Sequence, residues 1–201
     1  TRLHRMETVT RQHDSSGLTR VVVTGSESTG KTVLAQQLAD IYRATLVPEF
    51  ARDFAAQKEA ALVLADADAI ARGQMDMEDH QAAAAQGLIV QDTDLLSTVV
   101  YSRHYYGECA DWIVRAAADR RPDLYLLLEI DVPWVEDGVR DRQGQREEVQ
   151  QCFRDAVRQS GAQSQVITGS WDERMRRARE AIDRLPGMAR AGSASLPSTD
   201  R

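Results

Sequence analysis

The sequence predicts an α/β fold: a five-stranded parallel sheet with helices on both faces and a short arginine-bearing lid. Three observations carry this. Short apolar runs alternate with stretches of helical periodicity, the pattern of βα units around a parallel sheet. The runs are continuous rather than alternating, as in Val21-Val22-Val23 and Leu88-Ile89-Val90, which suits strands buried on both faces. Between the first run and the first helical stretch stands Gly25-Ser26-Glu27-Ser28-Thr29-Gly30-Lys31-Thr32, a match without exception to the phosphate-loop pattern G-x-x-x-x-G-K-[ST].

Taken in order, residues 1–19 are polar, mixed in charge and aperiodic, and read as a flexible arm. Val21–Val23 is the first strand. A helix starts at Lys31, with Leu34, Leu38, Ile41 and Tyr42 on one face. Leu46-Val47 is a short second strand closed by Pro48. The alanine-rich stretch from Asp66 to Ala85 is a long helix stopped by Gly87. Leu88–Val90 is the third strand and runs into Gln91-Asp92-Thr93-Asp94. Leu124 to Ile130 is the fourth, ending in acidic residues and Pro133. Val149, Cys152, Phe153, Ala156 and Val157 have the i, i+3, i+4, i+7, i+8 spacing of an amphipathic helix. Gln165–Ile167 is the last strand, followed through Gly169 by a helix with Met175, Ala178, Ile182 and Leu185 inward. The stretch 186–201, rich in Gly, Ser, Pro and Ala, reads as a disordered tail, so the predicted domain spans 20–185.

Bulk properties narrow the function. A chain of 201 residues with 42% hydrophobic and 28% charged residues is expected to be one globular domain. No apolar run nears the roughly 20 residues that span a bilayer, and no apolar leader is visible, so no membrane partner is expected. A net charge of −6 argues against a general nucleic-acid binder. Cys109 and Cys152 are far apart without a C-x-x-C partner, and the four histidines have no metal spacing, which fits a reduced cytoplasm. Oligomeric state is left open.

Of 25 Lys plus Arg, only Lys31 and Lys58 are lysines, and Lys31 completes the phosphate loop. A compact ammonium on a flexible stem can reach a β/γ-phosphate bridge where a planar guanidinium is bulkier and more directional. Gly25, Ser28, Thr29, Gly30, Lys31, Thr32 and Val33 are therefore the expected ATP-binding residues, with backbone N–H groups and a helix N-terminus turned to the phosphates. Thr32 would hold Mg2+ through its hydroxyl, and Asp92, at the end of a buried strand, is the expected second ligand. Asp94 either shares that role or caps the helix starting at Leu95-Leu96.

The acceptor side rests on residues near other strand ends. Glu49 and Arg52, three apart, either serve the acceptor, Glu49 taking its hydroxyl proton and Arg52 orienting it or touching a phosphate, or form a surface ion pair; an aspartate of the Asp92/Asp94 pair is the other candidate base. The segment from Trp134 to Arg146 carries Arg140, Arg142 and Arg146 among glycines and suits a lid bringing guanidiniums to the transferring phosphoryl group. Tyr101 and Tyr105, one helical turn apart, either stack on a base or pack in the core, and Trp171 lines an adenine pocket or simply packs.

The strings Gly25–Thr32, Glu49-Phe50-Ala51-Arg52-Asp53-Phe54, Asp92-Thr93-Asp94 and Trp134-Val135-Glu136-Asp137-Gly138-Val139-Arg140 occur in an order that resembles the ribosylnicotinamide kinase domain of NadR-type NAD-salvage proteins, within the P-loop nucleoside-kinase-like group. The resemblance covers about residues 20–185. It implies Mg2+- and ATP-dependent phosphorylation of the 5′-hydroxyl of nicotinamide riboside. It also implies Asp92 and Asp94 near magnesium and ribose hydroxyls, Trp134 and Asp137 near the nucleoside, and Arg140 in the lid. Some family members add an adenylyltransferase domain with an H-x-G-H motif and a DNA-binding region. No H-x-G-H occurs here and 19 residues precede the first strand, so kinase activity alone is expected. The alternatives are a kinase for another nucleoside, nucleotide or small metabolite, or a regulatory ATP-binding module.

Overall fold

A computed structural model of the chain describes residues 17–58, 60–131 and 145–188. Five strands, β1 (Thr19–Thr24), β2 (Thr45–Val47), β3 (Leu88–Asp92), β4 (Leu124–Leu128) and β5 (Gln163–Ile167), form one sheet in the order β2-β3-β1-β4-β5. Every pairing is parallel, so all five strand C-termini open on one edge of the sheet. The helices are α1 (Lys31–Tyr42), α2 (Phe50–Lys58), α3 (Asp66–Ala84), α4 (Leu95–Tyr106), α5 (Asp111–Asp119), α6 (Arg146–Ser160) and α7 (Trp171–Asp183). The predicted five-stranded parallel sheet with helices on both faces holds; the predicted lid segment lies, apart from Gln145 and Arg146, outside the described residues.

The apolar runs become central strands because both faces are covered. Val21, Val22 and Val23 are fully buried, and every residue of β3 and β4 is buried. The main core joins Val21, Val23, Val90, Leu126 and Leu128 of the sheet to Leu34 and Leu38 of α1 and Ala178 and Ile182 of α7. A smaller cluster, Val100, Leu127, Val149 and Phe153, holds α4 and α6 on the other face. Burying an aliphatic side chain contributes about 1.5–3 kcal/mol, so the two layers of contacts on β1 and β4 are the fold's main stabilising term.

Three expectations shift. Ile41 is exposed, and Ala35 and Ala39 complete the inward face of α1 beside Leu34 and Leu38, because the helix packs close enough to the sheet for alanine to fill the gap. Strand β4 stops at Leu128, where its pairing with β5 ends at Ile167, rather than at Ile130. Helix α5, with Ile113 as its one buried residue, carries too short an apolar signal to be read from sequence. The described chain runs to Met188, whose side chain packs against the main core. Among the described residues no helix is long and apolar enough to cross a membrane.

Candidate active site at the strand C-termini

The parallel register sets the geometry. Val23 of β1 pairs with Asp92 of β3, so the strand that enters the glycine loop runs beside the strand that ends in the acidic residue. The amide of Thr93 donates to Val23 O at 3.0 Å and locks the two strand exits together.

The loop from Gly25 to Thr32 is held from outside by its own chain and by α6 and α7. Ser26 N donates to Gln150 Oε1 at 3.0 Å, and Gln150 Nε2 donates to Leu128 O at 3.0 Å. Ser26 O accepts from Lys31 Nζ at 2.7 Å and from Thr29 Oγ1 at 3.0 Å. Arg146 donates to Ser28 O at 3.1 Å, and Arg174 to Thr29 O at 3.0 Å. Two glycines are required sterically. A Cβ on Gly25 would lie 2.6 Å from Leu128 O, and one on Gly30 would lie 3.0 Å from the Trp171 ring, both at positive φ. Ser28 also lies in the left-handed region, at φ 53°. A non-glycine residue held there stores strain, and such strain clusters at ligand clamps.

Thr32 Oγ1 donates to Asp92 Oδ2 at 2.6 Å. Asp92 is only 2% exposed, and its Oδ1 has no hydrogen-bond partner among the described residues. Burial pushes its carboxyl above the usual range; the Thr32 hydrogen bond opposes that shift and the charge of Glu49 adds to it. An orphaned, buried carboxylate oxygen beside a hydroxyl fits a divalent cation. One carboxylate and one hydroxyl are the protein share that Mg2+ takes beside a nucleotide, the other positions going to phosphate oxygens and water.

Next to this pair opens a cavity of about 270 Å3 between α2, α3 and α4, lined among others by Glu49, Gln74, Asp94, Ser97, Tyr101 and Tyr105. Glu49 is 8% exposed, and Arg52, half-exposed, stands 3.7 Å from its carboxylate. Asp94 is the N-cap of α4: Oδ1 accepts from Leu96 N at 3.1 Å and Oδ2 from Tyr125 OH at 2.6 Å. Burial raises its pKa to about 6, and burial together with the Asp94 carboxylate holds the Tyr125 phenol well above its ordinary value. Of the two readings of Asp94, the cap is realised, and the residue also lines the cavity. Thr93, between the two aspartates, has φ 66°, which turns the chain so that Asp92 faces the loop and Asp94 faces α4. The Tyr101 and Tyr105 rings stack at 6.0 Å with 5° between planes, and Tyr105 OH donates to Glu27 Oε1 at 3.2 Å. Ser97 Oγ is buried without a partner among the described residues.

The structure thus brings Gly25, Ser28, Thr29, Gly30, Lys31, Thr32, Asp92, Arg146 and Trp171 to the loop, and Glu49, Asp94, Tyr101 and Tyr105 to the cavity, with Arg52 beside Glu49 and not among the lining residues. Trp171 is partly exposed over Gly30 and donates to Gln37 Oε1 at 3.2 Å. Val33 is exposed on the first turn of α1. Trp134, Asp137, Arg140 and Arg142 lie outside the described residues. Sequence reasoning missed Glu27, Gln150 and Arg174. Glu27 stands at a free position of the loop pattern, and Gln150 gives no signal. Arg174 does, for it falls on the inward face of α7 with Ala178, Ala181 and Ile182. An arginine in an apolar register is a clue that could have been followed.

A family model described as AAA domain matches residues 20–174. The trifunctional NAD biosynthesis/regulator protein NadR of Escherichia coli (strain K12) is 34% identical over 124 residues, 60% of this chain and 30% of that protein. The chain therefore spans well under half the length of that relative. A crystal structure of NadR protein in complex with NR superposes with a TM-score of 0.69 at 25% identity, covering 82% of this chain and 50% of that one. Thymidylate kinase from Ehrlichia chaffeensis shares the fold, with a TM-score of 0.57 at 17% identity over 83% of this chain and 98% of that one.

Proposed function

The chain belongs to the AAA domain family and resembles the kinase part of NadR, and from that premise we propose that it is an ATP- and Mg2+-dependent kinase for the 5′-hydroxyl of nicotinamide riboside. The observation that carries this is the contact of Thr32 with Asp92 at 2.6 Å, standing between a phosphate loop and a nucleoside-sized cavity. The substrate choice draws on NadR and its complex with NR, and a cytoplasmic setting is part of the same proposal.

In this reading the loop N–H groups and Lys31 bind the β- and γ-phosphates, with Gly25, Ser28, Thr29, Gly30 and Val33 forming the cradle and Trp171 the adenine side. Thr32 and Asp92 hold Mg2+, which when bound neutralises phosphate charge. The acceptor base lies against the Tyr101 and Tyr105 pair, and Ser97 offers an unused hydroxyl to the ligand. Glu49 accepts the acceptor proton as the oxygen–phosphorus bond forms and the bond to the leaving ADP oxygen breaks. Asp94 is the weaker base because both its oxygens already accept hydrogen bonds, and Asp92 is held by Thr32. Arg52 orients the acceptor. Arg140, Arg142 and Arg146 serve the transferring phosphoryl group, and Trp134 and Asp137 the nucleoside.

An ATP-consumption screen over a nucleoside panel including nicotinamide riboside tests the substrate. Turnover of another nucleoside with none of nicotinamide riboside would overturn it. Single-turnover transfer with Glu49→Gln tests the base, and a drop of about a hundredfold is expected. Unchanged transfer would remove Glu49 from that role.

A further inference from the structure

We propose that Arg174, a residue outside the phosphate-loop motif, is a positioning residue that aims the loop's peptide groups at the nucleotide phosphates. This rests on the kinase reading for its ligand. Arg174 is fully buried, an expensive place for a charge unless every donor is used. Its fork is used: Nε donates to Gly169 O at 3.0 Å, Nη1 to Thr29 O at 3.0 Å, and Nη2 to Glu129 O at 2.8 Å and to the Asp131 carboxylate. Three of the four partners are backbone carbonyls from three separate segments: the phosphate loop, the exit of β4, and the turn before α7. Asp131 closes the ring by accepting Gly169 N at 2.6 Å.

The consequence for the loop follows from the planar trans peptide. In such a unit the C=O and the next N–H point in opposite directions. A guanidinium that holds Thr29 O outward therefore turns the Gly30 N–H to the loop's inner side. Arg146 on Ser28 O does the same for the Thr29 N–H from the opposite flank. The planar fork is what permits this, since its donors are spread over three nitrogens, whereas those of an ammonium radiate from one atom. Because Gly169 and Asp131 share the node, the turn carrying Trp171 and the chain leaving β4 are fixed to the same point as the phosphate loop.

The test compares R174K and R174M with V157A, a buried change far from the loop on α6. ATP affinity is measured calorimetrically without acceptor, and the Michaelis constants of both substrates are measured in the transfer assay. R174M is expected to weaken ATP by about tenfold with acceptor KM within about twofold, R174K to recover part of the loss, and V157A to lower Tm without changing ATP affinity. An R174M protein binding ATP like the wild type overturns the proposal, as does V157A weakening ATP equally at the same loss of Tm. If R174M does not fold, D131N, whose side chain is 38% exposed, takes its place: weaker ATP by about threefold supports the node, and unchanged affinity overturns it. A wild-type chain that binds no ATP would remove the kinase reading and this proposal together, whereas ATP binding indifferent to Arg174 removes this proposal alone.

Discussion

The two halves of the cleft, donor and acceptor in the proposed reading, are built from different materials. On the donor side, between β1 and α1, the proposed ligand contacts are loop N–H groups joined by the Lys31, Thr32 and Asp92 side chains, and side chains from α6 and α7 grip the outward carbonyls of Ser28 and Thr29. On the acceptor side, between α2, α3 and α4, the walls are side chains, and donors on neighbouring side chains hold the buried acids in place. Gln74 takes the Phe50 amide at 3.0 Å and passes a hydrogen bond to Glu78 at 3.3 Å, while Asp94 is tied to Tyr125. A backbone site fixes charge geometry for any triphosphate. A side-chain site can be retuned residue by residue, which is where substrate identity is set.

The largest expected effect is on the donor side. Lys31→Met should lower kcat/KM by about a thousandfold while leaving the melting temperature close to wild type, because the ammonium's hydrogen bond to Ser26 O lies within its own loop and joins no distant parts of the fold. Steady-state kinetics with ATP varied measures it. A loss smaller than tenfold would mean that backbone groups alone bind the phosphates, and the contrast between the two halves would become sharper than drawn here.

That contrast also explains what the sequence made legible. The donor half is contiguous: eight residues between a β-branched run and a helix, with chemistry and spacing in one string. The sheet was legible for the same reason, since β1, β3 and β4 are buried on both faces and spell uninterrupted apolar runs. The acceptor half gathers Glu49, Gln74, Asp94 and Tyr105 from four places along the chain, and only the sheet order β2-β3-β1 brings them together. Glu49 and Asp92 were found because they stand at strand ends. Gln74 and Glu78 were not, because one buried face of a long polar helix does not announce which of its polar residues turn inward. Exposed Ile41 fails in the opposite sense: an apolar residue in helical register is inward only where the neighbouring element reaches it.

Next in size is an effect on stability from Glu78 of α3, behind the acceptor wall and one helical turn from Gln74. Glu78 is 3% exposed, and burial with the nearby charge of Asp94 raises its pKa from 4.5 to about 7, against the pull of Arg120. Arg120 is shared with Asp79, at 2.6 Å, and Gln74 is the neutral neighbour. A carboxyl raised in the folded state favours folding below its unfolded pKa, and that contribution disappears as pH climbs through the folded value. Between about pH 4.5 and 7 the wild type should thus lose roughly 3 kcal/mol that Glu78→Gln does not lose. Denaturant unfolding at pH 5 and pH 8 reads this directly. Parallel pH slopes for the two proteins would show that α3 carries no such buried acid behind the acceptor wall.

The smallest effect probes a hydrogen bond that joins the halves. Tyr105 OH donates to Glu27 Oε1 at 3.2 Å, so a residue of the phosphate loop and a ring of the acceptor cavity share a hydrogen bond. If the halves act separately, Tyr105→Phe and Glu27→Gln should each change one substrate's KM and combine additively. If the bond transmits binding, a double-mutant cycle on acceptor KM measured at saturating ATP should give a coupling of about 1 kcal/mol, or roughly fivefold, that shrinks when ATP is subsaturating. The second outcome is expected. The Tyr101 and Tyr105 rings stack nearly parallel, and Tyr101 meets Phe153 of α6 edge-on at 5.4 Å. The helix that carries Gln150 to the loop therefore also supports the ring pair over the cavity. A loop moved by its phosphates would pull on Glu27, and through Tyr105 on a ring pair that packing does not allow to move alone.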